Sequence, residues 1–308
     1  MGSFIGKRLL QLIPILLGVT FLTFALLYLA PGDPAQSKLL SQGAIVTDEM
    51  LENTREDMGL NRPFLTQYFS WLGDLLTGDL GTSYHDDTPV SDKIGRAASA
   101  TVQLTVWSMI ITLLISIPLG ILTAVYQNKW FDNVIRMLTF VGTSFPNFMI
   151  ALMLIYVLCL KLELLPIVTS GGGIKGLIMP VTTLVIMQSS KFIRQIRAEI
   201  LEQMSAEYVL SARVRGVKEV VILMKNVLHN SMITIITMIG LSVGTLLAGT
   251  AVVETIFSWP GLGKLVIDSI SYRDYPVIQA FVVVMATVYV LINLITDICY
   301  KVLDPRVG

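Results

Sequence analysis

Charge is scarce in this sequence. Asp, Glu, Lys and Arg together make up 14% of 308 residues, against 54% apolar residues, and the mean hydropathy is +0.71. A soluble domain carries nearer a quarter charged residues, whereas a surface that faces lipid needs none. The deficit therefore points to a chain that lies mostly inside a bilayer. Two cysteines leave no disulfide framework. There are only two histidines, His85 and His229, and no His-Glu-x-x-His, Gly-x-Ser-x-Gly or Cys-x-x-Cys run. The sequence marks of a zinc protease, a serine hydrolase and a thiol oxidoreductase are thus missing. Gly263-Lys264 is followed by Leu265 and lacks the upstream glycine of a phosphate-binding loop. No enzyme, and no cofactor bound by this chain, is expected. Long basic runs are missing as well, so nucleic acid is not a partner.

What is present is a series of long apolar stretches. Five are plain: Leu9–Ala30, Thr101–Tyr126, Val134–Leu160, Met232–Val253 and Ile278–Tyr300. A spanning helix needs about 20 such residues. A sixth stretch, Leu177–Ile193, is shorter and holds Pro180, Gln188, Ser189, Ser190 and Lys191. Charge decides its status. With six spans and a cytoplasmic amino terminus, the inside segments 1–8, 127–136, 191–230 and 301–308 hold 13 Lys and Arg. The much longer outside segments hold 9, together with 15 acidic residues. Were Leu177–Ile193 not a span, the basic segment 191–230 would lie outside, against the positive-inside rule. The sequence therefore predicts an all-α membrane protein of six transmembrane helices with both termini cytoplasmic. Lys7 and Arg8 resemble the start of a signal peptide, but the apolar stretch after them is too long and no cleavage site precedes Pro31. Residues 1–30 are read as a retained helix. Cys159 and Cys299 fall at opposite faces, about 30 Å of hydrocarbon apart, and cannot pair.

Three segments outside the membrane carry more pattern than a connection needs. The outer loop 31–100 opens on the helix-stopping turn Pro31-Gly32-Asp33-Pro34. It then predicts one helix after Thr47, with Asp48 and Glu49 in its first turn, and another from Pro63 towards Leu76. This is a small helical cap, either a solubilising cover or a surface that docks a substrate-delivery protein. In the second reading Asp86 and Asp87 are the candidate docking residues. His85-Asp86-Asp87 has metal-ligand residue types, but a solvated loop accounts for them better than a metal site. On the inner side, Ala212-x-x-x-Gly216 within segment 194–230 allows a close approach or a sharp turn, and predicts a short helix–turn–helix. An interfacial amphipathic helix is the alternative there. The outer segment 254–277 holds the rigid turn Trp259-Pro260-Gly261-Leu262-Gly263 and then Asp274-Tyr275-Pro276. Those residues read as an aromatic-belt anchor or as a gate over a pore.

Taken in order, these motifs resemble the permease subunits of the dipeptide/oligopeptide/nickel class of bacterial ABC importers, nearly end to end. The resemblance is carried by Arg8-Leu9-Leu10, Ile13-Pro14 and Leu29-Ala30-Pro31-Gly32-Asp33-Pro34 at the amino end, and by Gly59-Leu60, Gln67-Tyr68, Gly78-Asp79 and Gly81-x-Ser83 in the cap. Tyr208-Val209-Leu210-Ser211-Ala212-Arg213-Val214-Arg215-Gly216 is similar to the family's Tyr-Val-x-x-Ala-Arg-Ala-Lys-Gly coupling loop, with Val214 and Arg215 as conservative departures. Glu254 through Gly263, Arg273-Asp274-Tyr275-Pro276, Asn293, Asp297 and Asp304-Pro305-Arg306 complete it. Where the family usually has proline after His229-Asn230-Ser231-Met232-Ile233, this chain has Thr234, which leaves a kink there in doubt. Thr47-x-Glu49-Met50-Leu51, Ser144-Phe145-Pro146-Asn147-Phe148 and Gly171-Gly172-Gly173 look more like the nickel-type branch.

The resemblance implies a type I importer permease fold: helix 1–30, extracytoplasmic cap 31–100 and a five-helix core 101–308 containing the coupling loop 194–230. It implies a second homologous permease subunit, two cytoplasmic ATPase subunits that bind ATP-Mg, and an extracytoplasmic substrate-binding protein, assembled in a bacterial inner membrane and surrounded by lipid. Coupling to the ATPase would fall to Glu207, Tyr208, Ala212, Arg213, Arg215 and Gly216. The outer gate would be built on Trp259, Pro260, Gly261, Gly263, Asp274, Tyr275 and Pro276. The cargo would be a nickel chelate or a short peptide, moved by alternating access. A secondary transporter or channel acting without an ATPase is the competing class, but mid-membrane ionisable groups and an internal repeat, its usual marks, are missing from the sequence.

Overall fold

The computed structural model describes residues 2–166 and 174–303. The Gly171-Gly172-Gly173 and Asp304-Pro305-Arg306 motifs lie outside the described residues. Within them all regular structure is helical apart from one isolated bridge, Thr82 with Pro89. The helices are α1 (Gly2–Leu29), α2 (Pro34–Ser41), α3 (Asp48–Asp57), α4 (Phe64–Thr77), α5 (Val90–Val125), α6 (Trp130–Ser144), α7 (Asn147–Leu154), α8 (Ile174–Met204), α9 (Glu207–Val214), α10 (Glu219–Val221), α11 (Leu228–Ile256), α12 (Leu262–Tyr272) and α13 (Tyr275–Leu303). Wider π-helical turns extend α7 over Ile155–Lys161 and join α10 to α11 over Ile222–Val227. The cap thus contains the two helices read from the sequence and one more, α2, nucleated by Asp33. Its carboxylate accepts from the Ala35 N–H at 2.9 Å, with Pro34 in the first helical position.

Five single runs are long and apolar enough to cross a membrane, and α6 with α7 passes the same test as a pair bent by 101°. Counted as one broken span, that pair brings the number to six. Val134–Leu160 is therefore not the straight helix its hydropathy suggests. Phe145 is extended (φ −94°, ψ 136°) because the ring of Pro146 excludes the helical conformation from the residue before it. The stretch that hydropathy leaves doubtful is a long helix: the apolar window of α8 has a hydropathy of only 1.3, yet 72% of it is buried, against 11% of the 2.4 window in α1. Gln188, Ser189 and Ser190 are all buried. α8 is polar because it faces protein. α11 runs unbroken past Thr234.

The chain divides into two compact units. The first comprises residues 1–101 and 260–291. Here α1 packs on α4 through Phe21, Phe24, Tyr28, Phe64 and Tyr68, whose rings meet edge to face at 5.2–5.7 Å. A separate apolar core joins Val90, Ile94 and Ala97 at the start of α5 to Leu262 of α12 and to Val277 and Ala280 of α13. The Thr101 hydroxyl accepts the Leu262 N–H at 2.7 Å and so caps α12.

The second unit comprises residues 102–259 and 292–308 and is built around α8, which contacts α6, α7 and α11. A Cβ at Gly142 of α6 would collide with the Ser190 hydroxyl. On α5, Thr105, Ser108, Thr112 and Ser116 form a buried hydroxyl stripe at helical spacing, and Ser116 reaches the Ser189 carbonyl at 3.5 Å. Small polar residues of this kind let membrane helices approach closely. Both cysteines are free.

One buried ion pair ties α6 to α8. Asp132, fully buried, accepts from Arg197 Nε and Nη2 at 2.8 Å each and from the Asn128 N–H at 2.9 Å. Removing one member of such a pair leaves an uncompensated charge, worth about 3–5 kcal/mol in a fully buried site. Asp132→Ala should lower the melting temperature of the detergent-solubilised protein by several degrees, and Asp132→Ala with Arg197→Met should recover part of that loss. Equal melting of wild type and single variant would remove the pair from the fold's supports.

Candidate functional site

Two clusters hold the sequence-predicted residues, one in each unit. In the second unit α8 ends at Met204, and Ser205-Ala206 turns the chain into α9. Glu207 stands exposed in the first turn of α9, where the helix dipole favours an acid. Tyr208 Oη donates to Gln203 Oε1 at 2.9 Å, and Gln203 Nε2 donates to Glu199 at 3.0 Å, so Tyr208 is latched back to the end of α8. Val209 and Ala212 are the buried side of α9. Leu210 and Val214 are its exposed side, continued beyond the turn by Val220 and Met224. A short helix is thus held by a latch and one buried face while it offers a second apolar face outward.

The turn after α9 depends on Gly216. Its φ is +74°, with the Gly216 N–H bonded to the Arg213 carbonyl at 2.9 Å and the Val217 N–H to the Ala212 carbonyl at 3.2 Å. A side chain here would meet nothing within 4 Å, so the glycine serves the left-handed backbone and not a packing contact within the chain. Arg213 closes the turn as a two-pronged pair with Glu219, at 2.7 and 3.2 Å. Arg215 bonds the Ser211 carbonyl at 3.2 Å. Glu219, Gln203 and Glu199 carry no sequence signal of this role beyond their polarity.

In the first unit the cap is fastened to the α12–α13 corner. Asp274 is buried and accepts from Ser83 Oγ at 2.5 Å and from the Tyr84 N–H at 2.9 Å. Lys93 Nζ donates to Ser83 Oγ at 2.9 Å, pairs with Asp86 at 2.8 Å and lies 3.8 Å from Asp274. Burial raises the Tyr84 phenol to about 12, with the charge of Asp274 adding to it. Burial alone would raise Asp86 too, but hydrogen bonds from Lys93 and Thr88 outweigh it and hold its carboxyl below the usual carboxylate range. Asp87 pairs with Lys38 at 2.6 Å, and His85 stacks on Tyr272 at 3.9 Å. Asp86 and Asp87 are therefore engaged within the cap and not merely solvated. Arg273 ends α12 in the left-handed region (φ +56°) and lays its guanidinium over the space a side chain would fill at Gly32.

The remaining gate candidates are spread. Tyr275 and Pro276 are half-buried at the start of α13, while Gly261 and Gly263 are buried at the start of α12. Pro260 is exposed. Trp259 is 2% exposed, not turned outward as a belt anchor would be, and its N–H bonds the Glu254 carbonyl at 2.8 Å. Sequence reading finds Asp274, and Ser83 as part of the Gly81-x-Ser83 motif, but not the link between them, nor Tyr84 and Lys93, because nothing local joins positions about 190 residues apart.

Residues 1–112 match the family model for the amino-terminal part of binding-protein-dependent transport system membrane components, and residues 116–308 match the model for the inner membrane component itself. The dipeptide transport system permease protein DppB of Alkalihalophilus pseudofirmus is 36% identical, over 100% of this chain and 99% of its own. The glutathione transport system permease protein GsiC of Salmonella choleraesuis is 38% identical over the same shares. An inward-facing structure of the MetNI methionine ABC transporter matches with a TM-score of 0.58 at 18% identity, covering 69% of this chain and 96% of that one.

Asp274→Ala should leave the Ser83 hydroxyl and the Tyr84 N–H without their shared acceptor and remove the charge 3.8 Å from Lys93, at about 1–3 kcal/mol. Amide exchange across residues 79–90 should accelerate while α9 stays unchanged. Unaltered exchange at Tyr84 would mean that the cap is not fastened there.

Proposed function

We propose that this chain, which belongs to the family of binding-protein-dependent transport system inner membrane components, carries short peptides through an ABC importer. It is a multi-pass inner-membrane permease subunit, a pore-forming part and not the enzyme of its complex. Residues 1–30 would anchor the chain, 31–100 form an extracytoplasmic cap, and 101–308 supply the permease core. A second permease subunit would complete the pore, two ATPase subunits would bind ATP-Mg on the cytoplasmic side, and a substrate-binding protein would deliver cargo to the cap.

The cargo reading follows the relatives that match from end to end, named for dipeptide and glutathione, both short peptides. The lean toward nickel gains no support from them. The motifs behind it that lie in the described residues do scaffold work: Thr47 caps α3 by accepting the Met50 N–H at 3.3 Å, and Pro146 breaks a span. A secondary transporter acting alone is not favoured.

One observation carries the coupling reading, the exposed apolar side of α9 beside its latched and buried side. We infer that Glu207, Tyr208, Ala212, Arg213, Arg215 and Gly216 present this face to an ATPase, and that closure of the ATPase pair drives alternating access through it. Trp259, Pro260, Gly261, Gly263, Asp274, Tyr275 and Pro276 would form the gate region. For receptor docking through Asp86 and Asp87, Asp86→Asn/Asp87→Asn should slow receptor association at low salt and less so at high salt. An on-rate unchanged at low salt would remove them from the docking surface.

Gly216→Leu places a side chain at φ +74°, a strain of about 1–2 kcal/mol confined to the turn. The reconstituted complex should keep its inserted permease but lose most substrate-stimulated ATP hydrolysis and peptide uptake. Val214→Asp, which leaves the backbone alone and only charges the exposed face, should do the same. Full coupling in both variants would sink the docking role of α9 and leave an interfacial helix in its place.

A further inference from the structure

We propose that the groove between α6 and α8 is a site for one anionic phospholipid, held by Arg136 and Arg194. The groove has a volume of about 590 Å³ and is lined by Asn133, Arg136, Met137, Phe140, Arg194 and Arg197. Three guanidinium groups therefore meet at one place. Among the described residues the carboxylate bonded to any of them is Asp132, with both oxygens held by Arg197 and with Arg136 near enough to act on it through charge alone. Arg136 and Arg194 are exposed and make no side-chain hydrogen bond or ion pair among the described residues. Both fall in segments 127–136 and 191–230, read above as cytoplasmic, which puts their charge at the inner membrane surface where anionic headgroups lie.

The wall beside them is apolar and open. Met137 is 62% exposed and Phe140 67%, one turn further along α6 from Arg136, and Leu138 and Val141 are exposed on the same helix. An aqueous anion would gain nothing from such a wall. A phospholipid would satisfy both parts, its phosphate taking the guanidinium N–H groups and an acyl chain lying over Met137 and Phe140. Basic pockets between membrane helices bind anionic headgroups by this combination. Trp130, 77% exposed at the first turn of α6, with its ring 5.9 Å from Phe131, marks the interfacial level that a headgroup would occupy. The proposal needs only that the ends of α6 and α8 lie at a bilayer surface, and does not depend on the cargo or on the coupling role of α9.

The test uses the whole reconstituted importer. Native mass spectrometry of wild type purified in mild detergent should show one retained phosphatidylglycerol for each copy of this chain. In Arg136→Gln/Arg194→Gln, retention should fall about tenfold or more, as the loss of two basic groups beside an anionic headgroup predicts. Added phosphatidylglycerol should raise the melting temperature of the wild type, while phosphatidylcholine and inorganic phosphate should not. Arg136→Lys, which keeps charge and fold, should retain intermediate amounts. Equal retention by wild type and double variant overturns the proposal, and so does equal protection by phosphatidylcholine. Protection by inorganic phosphate alone overturns it in favour of a free-anion site. Loss of a partner subunit from the double variant without lipid loss overturns it in favour of a protein contact.

Discussion

A carbonyl left open at the end of a helix must find a donor, and against packed protein or lipid no water supplies one. That constraint accounts for how this chain ends its helices. At six of them one residue turns left-handed, and two reverse bonds reach back to the carbonyls that the helix leaves open. Gly43, Gly59, Gly78, Gly216, Ser258 and Arg273 are those residues. In each case the next N–H bonds a carbonyl five residues back: Val217 to Ala212, Trp259 to Glu254, Asp274 to Ser269. The gate candidates follow the closures at Ser258 and Arg273, and Arg213, Arg215 and Gly216 of the coupling candidates sit in another. Functional segments sit where the chain turns, and the turns are made self-sufficient in hydrogen bonds so that they can stand there.

The same constraint explains the division of labour among the spans. α1 and α13 expose most of their surface and are apolar to suit it. α8 is packed on several sides, so hydroxyls, an amide and the Arg197 end of a buried pair are affordable within it. The broken span of α6 and α7 sits against α8 as well, and the polar interior of the second unit gathers around that one helix.

Much of this was legible before any coordinates. Six spans follow from hydropathy and from where Lys and Arg fall, and the four glycine closures mark themselves. Ser258 and Arg273 do not, since neither residue type announces a left-handed turn. The bend at Phe145-Pro146 was hidden for a different reason: hydropathy averages over a window and cannot see one missing N–H. The acidic character of the cap was visible, but the pairing of Asp86 with Lys93 and of Asp274 with Ser83 joins residues whose nearness only the fold creates. The coupling segment was legible through its small residues, whereas its latch from Tyr208 through Gln203 to Glu199 was not.

Arg273 and Gly32 carry a consequence for how such sequences drift. Arg273 holds a backbone conformation that glycine would adopt at lower energy, and its guanidinium fills the space that only glycine at position 32 leaves open. Position 32 is the more constrained of the two, since its φ of +106° is one that side chains rarely adopt. A side chain arriving at 32 evicts the guanidinium, and glycine arriving at 273 relaxes the corner while emptying the space beside the cap. The two sites should therefore drift unequally: Arg273 can be replaced with the corner relaxed, whereas position 32 stays glycine whether or not the guanidinium is there, because its backbone alone disfavours a side chain.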